Sequence, residues 1–180
     1  MRPDIDLDPD IDLDDVTVRP EAPVDIPAIH ALVETAFDSP LEAKLVDRLR
    51  EDGDLVLSLV AERNGRIIGH AGFSRLRIEN RDQRAVALAP VAVMRCHRRR
   101  GIASQLVREG IRRLEDAGEE LVFVLGDPPY YQRFGFDAQV AKQYCAQWSG
   151  PAFMALALEN QASADSRPKV IYPPAFEAFG

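Results

Sequence analysis

Residues 91–109, which read VAVMRCHRRRGIASQLVRE, constrain the fold more than any other stretch of the chain. An apolar, β-branched run ends at Met94, five basic residues follow between Arg95 and Arg100, and a helical spacing of apolar residues begins after Gly101. This pattern predicts a strand, a tight basic loop and a helix. The free N–H groups at a helix start bind phosphate well, and glycine lets a ligand approach the backbone closely. We therefore expect a phosphate or pyrophosphate site at this loop.

The composition limits the kind of ligand that could carry this phosphate or pyrophosphate. A chain of 180 residues with 46% hydrophobic and 28% charged residues is typical of one soluble globular domain. Its net charge of −7 argues against a nucleic-acid-binding protein, which would carry a broad basic face. No apolar run approaches the ~20 residues that span a membrane. The basic cluster is therefore better explained by a local anionic ligand.

Cysteine usage indicates the compartment. The two cysteines, Cys96 and Cys145, are too few for a disulfide framework, so a reducing cytoplasm is expected. The Cys and His spacing does not suggest a metal site.

The first residues form a separate segment in this interpretation. Residues 1–15 nearly repeat the sequence DIDLD, and such dense like charge predicts a disordered acidic segment before a domain at 16–180. A calcium-binding loop is the alternative, but the spacing lacks the glycine and the terminal glutamate of such loops.

The rest of the chain alternates between helical and strand patterns. Asn64-Gly65 is a strong hairpin signal, and the helix at 101–117 should connect two parallel strands. The predicted strands are 16–20, 55–62, 66–78, 84–93, 121–125, 138–144 and 153–158, and the predicted helices are 24–37, 41–50, 101–117 and 130–134. The expected fold is α/β (α+β): one mixed sheet in which an antiparallel meander joins a parallel pair, with helices on both faces.

Pro90 lies inside the third strand of the meander and cannot donate a ladder hydrogen bond. Pairing should break near residues 89–91, which would leave backbone groups of Val91 and Val93 unpaired. A ligand that carries amides could bond to them as an added strand would.

Taken together, these motifs resemble the GNAT family of acyl-CoA N-acetyltransferases over most of residues 16–158. The resemblance rests on the strand at 88–93, on the loop RRRGIA with Gly101 and Ala103 in the family's spacing, and on YQRFGF at 131–136. It implies that acetyl-CoA is the acyl donor, that residues 91–93 hold the pantetheine arm, and that the amides near 99–104 wrap the pyrophosphate. The implied cofactor-binding residues are Val91, Ala92, Val93, Arg98, Arg99, Arg100, Gly101, Ile102, Ala103 and Ser104.

The resemblance also assigns a catalytic residue. Tyr131 matches the tyrosine that lies beside the coenzyme sulfur, where a phenol can protonate the departing thiolate. The sequence leaves the general base open between Glu34, His70 and a water chain. Cys96 lacks a paired base and orienting group, which argues against a nucleophilic role.

The expected function is transfer of an acetyl group from acetyl-CoA to a primary amine by direct attack in a ternary complex. The acceptor amine belongs to a small molecule or to a protein, and a homodimer is compatible with the sequence. A non-catalytic acyl-CoA-binding or regulatory module is the alternative that the missing base leaves open.

Overall fold

The computed structural model describes residues 12–148, 150–159 and 167–179. The strands are β1 (Thr17–Pro20), β2 (Leu55–Arg63), β3 (Arg66–Ile78), β4 (Ala85–Val93), β5 (Leu121–Leu125), β6 (Phe153–Ala157) and β7 (Val170–Ile171). The α-helices are α1 (Ile26–Phe37), α2 (Pro40–Glu51), α3 (Ile102–Asp116), α4 (Pro128–Tyr131) and α5 (Ala138–Ala141). Among these helices, none has both the length and the apolar character needed to cross a membrane.

The strands form one mixed sheet in the order β1-β2-β3-β4-β5-β6, and β7 pairs with the end of β3. β1 to β4 are an antiparallel meander, and the hairpin between β2 and β3 turns at Asn64 and Gly65, both of which have positive φ. β5 is parallel to β4, as the connecting helix requires, and β6 is antiparallel to β5. The predicted mixed sheet is confirmed.

Helices cover both faces of this sheet. α3 packs through Ile102, Leu106 and Val107 on one face, against side chains that include Phe73 of β3. α1 and α2 pack on the opposite face, where their apolar side chains meet Val60 of β2. The alternation of strand side chains between the two faces therefore gives each helical layer its own core.

The pairing of β4 with β3 is interrupted at the predicted place. Ala71 lies opposite Val91 and Phe73 lies opposite Leu88, so β4 contains one more residue than β3 over this interval. This bulge changes which residues of β4 face α3, from Val86 and Leu88 before it to Val91 and Val93 after it. The prediction that Pro90 disturbs the ladder near residues 89–91 is confirmed.

β4 and β5 are held together only at their first residues. Their parallel ladder covers Ala85–Ala87 of β4 and then stops. Next to it, the buried carboxylate of Glu119 accepts two hydrogen bonds of 2.7 Å from Arg75 and one of 3.0 Å from Arg84. Glu119 is 1% exposed and the two arginines reach it from the surface, so these three side chains form a partly buried clamp beside the three-residue ladder.

Two predictions about local structure differ from the fold. Residues 138–144 were expected to form a strand, and this is wrong, because Ala138–Ala141 forms α5 behind an N-cap at Asp137. Asp137 accepts a hydrogen bond of 2.7 Å from the Gln139 amide, which favours a helix start over a continued strand. The other strand predicted near the C-terminus is confirmed as β6.

The second difference concerns the acidic segment predicted to be disordered. Residues 1–11 lie outside the described residues. Leu13–Asp15 instead forms a 3-10 turn that Asp12 caps, and Leu13 packs against the core beneath α3. An apolar contact therefore orders the end of this segment despite its charge.

Glu119→Gln should lower the free energy of unfolding by about 1–3 kcal/mol, because an amide cannot accept the same charge-assisted bonds from two arginines. Urea unfolding of both proteins measures the difference. Glu115→Gln, a change of an exposed residue on α3, is the control and should stay within about 0.5 kcal/mol of the parent. Equal stability of Glu119→Gln and the parent would show that the clamp contributes nothing.

Candidate active site

The site is a gap between β4 and β5 that opens where their ladder stops. The Met94 amide donates to the carbonyl oxygen of Ile68 in β3 over 2.9 Å, so the backbone of Met94 faces β3. Since backbone polar groups alternate in direction along a strand, those of Val91 and Val93 face away from β3, toward the gap. The backbone of Ala92 faces β3, opposite His70. The Ala92 side chain is buried against α1.

One end of the gap leads to a cleft at the start of α3, here called the loop cleft. It has a volume of about 240 Å³ and is lined by Val93, His97, Arg98, Arg99, Gly101, Ile102, Ala103, Ser104, Tyr130 and Arg133. Gly101 is the N-cap of α3 with φ +82°, a conformation that favours glycine. The first amides of α3 therefore lie at the cleft, and the start of a helix can bind an anion.

The basic residues of the loop differ in their roles. Arg98 donates to the carbonyl oxygens of Val93 over 3.2 Å and of Ala36 over 2.8 Å, which ties the end of β4 to the end of α1. Arg99 is exposed, has φ +63° and lines the loop cleft. Arg100 is half-buried and is not among the residues that line the cleft.

Three residues that line the loop cleft, His97, Tyr130 and Arg133, are not among the cofactor-binding residues predicted from the sequence; the last two come from the segment after β5. The guanidinium of Arg133 stacks over the ring of Tyr130 at 4.4 Å, and its Nη2 lies 3.5 Å from the Ser104 hydroxyl. The Tyr130 hydroxyl lies 3.4 Å from the same Ser104 oxygen. Their proximity to α3 depends on how residues 126–136 fold back, and sequence spacing does not give this.

The other end of the gap opens into a larger space, here called the central cavity, with a volume of about 470 Å³. β4 and β5 supply two of its sides, and α1, α2 and the C-terminal residues supply the rest. Its lining residues are Phe37, Glu42, Leu45, Ala87, Leu88, Ala89, Pro90, Val91, Phe123, Val124, Leu125, Tyr131, Trp148, Tyr172, Phe176 and Phe179. The volume is within the range of small-molecule sites.

Tyr131, the residue that the sequence predicts as the catalytic phenol, lines the central cavity, as does Val91. Burial raises the pKa of Tyr131 to about 12, with a smaller contribution from Tyr130. The phenol therefore stays protonated at neutral pH and can donate a hydrogen bond. The adjacent Tyr130 lines the loop cleft instead, so the two tyrosines face different parts of the site.

Neither candidate base from the sequence lines the central cavity. Glu34 is exposed on α1, and His70 is fully buried within the sheet. The His70 Nε2 lies 2.9 Å from the Ser58 hydroxyl, which donates to Glu21, and burial lowers the pKa of His70 to about 4. His70 is therefore neutral and belongs to an internal hydrogen-bond network.

Glu42 is the carboxylate that the structure brings to the cavity instead. It is half-buried on α2, and its Oε2 atom is buried with no hydrogen-bond partner among the described residues. The sequence did not indicate Glu42, because its direction depends on how α2 packs against the sheet.

Cys96 lies away from the central cavity, in the loop after β4. Its sulfur is 2.9 Å from the His97 Nδ1 atom, a pairing that the sequence did not predict. Among the described residues, no group of three or more His, Cys, Asp or Glu side chains is placed to hold a metal ion.

The fold and the site define an acetyltransferase of the GNAT class. The acetyltransferase (GNAT) domain family matches residues 17–138, and the chain belongs to this family. The family resemblance noted in the sequence is thereby confirmed, as is its consequence that the chain is an acyltransferase.

Similar proteins include the N-acetyltransferase YhbS of Escherichia coli, which is 43% identical over 134 residues, or 74% of this chain and 80% of that protein. The crystal structure of E. coli YhbS with CoA has a TM-score of 0.85 and 40% identity, and the match covers 92% of this chain and 93% of that one. A GNAT-family acetyltransferase from Brucella melitensis, solved with acetyl-CoA, has a TM-score of 0.77 and 34% identity, with 90% and 98% covered.

Gly126→Ala should displace the Tyr131 ring, because a β-carbon at Gly126 would lie 2.4 Å from the Tyr131 Cε2 atom. We expect the free energy of unfolding to fall by about 1–3 kcal/mol from overpacking, measured by urea unfolding. Gly126→Ala combined with Tyr131→Ala should lose less than the sum of the two single changes, because the clash is gone. Strict additivity would contradict the proposed contact.

Proposed function

We propose that this chain transfers an acetyl group from acetyl-CoA to a primary amine, by direct attack within a ternary complex. The observation that carries the proposal is the arrangement of two cavities along the end of β4. Val91 lines the central cavity, where Tyr131 also lies, and Val93, two residues later, lines the loop cleft, where an anion can bind. The E. coli and Brucella relatives were solved with CoA and acetyl-CoA, which supports acetyl-CoA as the acyl donor here.

The residues of the gap fit two parts of coenzyme A, the pyrophosphate and the pantetheine arm. The amides of Ile102, Ala103 and Ser104 at the start of α3 suit a pyrophosphate, and Arg99 adds positive charge to the same cleft. The backbone groups of Val91 and Val93 suit the amides of the pantetheine arm. In this proposal Ala92 acts only as the spacer between them, and Arg98 keeps the end of β4 in place.

The chemistry at the central cavity requires a proton donor for the leaving group. Acetyl-CoA supplies the activated acyl group, whose carbonyl carbon the amine nitrogen attacks. The C–N bond forms as the C–S bond breaks, and the Tyr131 hydroxyl donates a proton to the departing sulfur. Direct attack is favoured over a cysteine intermediate because neither Cys96 nor Cys145 lines the cavity.

Tyr131→Phe should reduce kcat by about a hundredfold, because the ring remains but the proton donor is lost. Since the pKa of Tyr131 is raised to about 12, its donor form persists as pH rises. The fold reduction should therefore be the same from pH 7 to pH 10. Steady-state acetylation of a primary amine measures both effects.

Tyr130→Phe is the matched control from the adjacent position. Because Tyr130 lines the loop cleft, this variant should change the KM for acetyl-CoA more than kcat. A Tyr131→Phe variant with the parent's kcat at every pH would contradict the acid role.

A further inference from the structure

The central cavity contains one carboxyl side chain among mostly apolar residues. Among the described residues that line it, Glu42 is the only one with a carboxyl or a basic side chain. Its Oε2 atom is buried, and the part of the chain that the structure describes offers it no hydrogen-bond partner. A buried acceptor that lacks a donor costs free energy, and a charged acceptor costs more. The carboxylate therefore needs a donor that a bound molecule can supply.

The packing of α2 explains why Glu42 points inward. Ala43, Leu45, Val46 and Leu49 bury one side of the helix, and Glu42 precedes Leu45 by three positions, so both line the cavity. Glu42 also lies in the first turn, where the helix dipole favours an acidic residue. That effect would act equally on an exposed glutamate, so it does not account for the inward direction.

Aromatic rings enclose the space around this carboxylate. Tyr172 packs on Trp148 with ring centroids 4.8 Å apart and on Phe176 at 5.1 Å. Phe176 is buried against Leu45 and Leu49 of α2, which fixes the C-terminal segment as one wall of the cavity. Rings of this kind suit an apolar or aromatic group, and their faces also attract a cation.

We propose that Glu42 binds the ammonium group of the acceptor and accepts its proton, and that the acceptor is a small primary amine with an aromatic or other apolar body. The proposal rests on the proposed acetyl transfer and identifies its substrate class. A small molecule is favoured over a protein side chain because the C-terminal segment closes one side of a cavity of about 470 Å³.

The reaction balances with these groups. An ammonium ion bound at Glu42 loses one proton to the carboxylate, which passes it to solvent, and the neutral nitrogen attacks the thioester carbonyl. The nitrogen loses a second proton as the amide forms. That proton replaces the one that Tyr131 gives to the departing sulfur. The products are the acetylated amine, free coenzyme A and one released proton.

Binding tests the recognition step apart from catalysis. Calorimetry with 2-phenylethylamine and its neutral analogue 2-phenylethanol should show the amine binding to the parent at least about tenfold more tightly. Glu42→Gln, which keeps the side-chain shape, should bind both compounds about equally. Glu51→Gln, at the exposed end of the same helix, should retain the preference.

Three binding results would overturn the proposal: equal affinity of the parent for amine and alcohol, a preference that survives in Glu42→Gln, or no binding of either compound at low-millimolar concentration. Each of them contradicts recognition of the ammonium group by Glu42 in an apolar cavity.

Turnover tests the proton-accepting role. With acetyl-CoA and 2-phenylethylamine, Glu42→Gln should lower kcat/KM by about a hundredfold or more, whereas Glu51→Gln should not. If the parent acetylates the amine and Glu42→Gln does so equally well, the role of Glu42 is wrong and the proposed function stands. If the amine binds with a Glu42-dependent preference and is never acetylated, the proposed function is wrong and the recognition stands.

Discussion

The pairing of β4 with β5 over only three residues is the constraint on which the site depends. The ladder is complete at Ala85–Ala87, where the Glu119 clamp lies, and it is absent beyond that point. β6 pairs with β5 along the whole length of β5. This pairing supports the part of β5 that does not pair with β4. The sheet thus has an internal gap whose two sides are each supported by other strands.

The bulge around Pro90 determines which groups of β4 face the gap. One additional residue in β4 changes the direction of everything after it, so that Val91 and Val93 direct their side chains to α3 and their backbone groups to the gap. The same strand then runs directly into the basic loop and the start of α3. A single irregularity therefore aligns the backbone groups of β4 with the loop cleft at Gly101, because both lie along one continuous segment.

Much of this could be predicted from the sequence, because the decisive signals are local. The strand, basic loop and helix at 91–109 and the interruption at Pro90 depend on residues that are close together in the chain. The strand predicted at 138–144 failed for a local reason as well, since the Asp137 cap outweighed the apolar pattern that follows it. Short apolar segments are compatible with either structure until a cap decides.

The central cavity could not be predicted in this way. Its walls come from α1, α2 and the C-terminal residues, which meet only in the folded chain. Glu42 is one of many acidic residues in the sequence, and only the packing of α2 gives it a buried oxygen atom. The choice of Glu34 and His70 as candidate bases followed from their places in predicted elements, and the fold puts one in solvent and the other inside the sheet.

Amide hydrogen exchange at β4, with and without coenzyme A, tests the central claim most directly. The account predicts that coenzyme A slows exchange at the Val91 or Val93 amide, which faces the gap. The Ala92 and Met94 amides face β3 and should change little, since the Met94 amide is already bonded to Ile68. Saturation with coenzyme A that leaves Val91 and Val93 unchanged would contradict the proposal that the gap between β4 and β5 holds the cofactor.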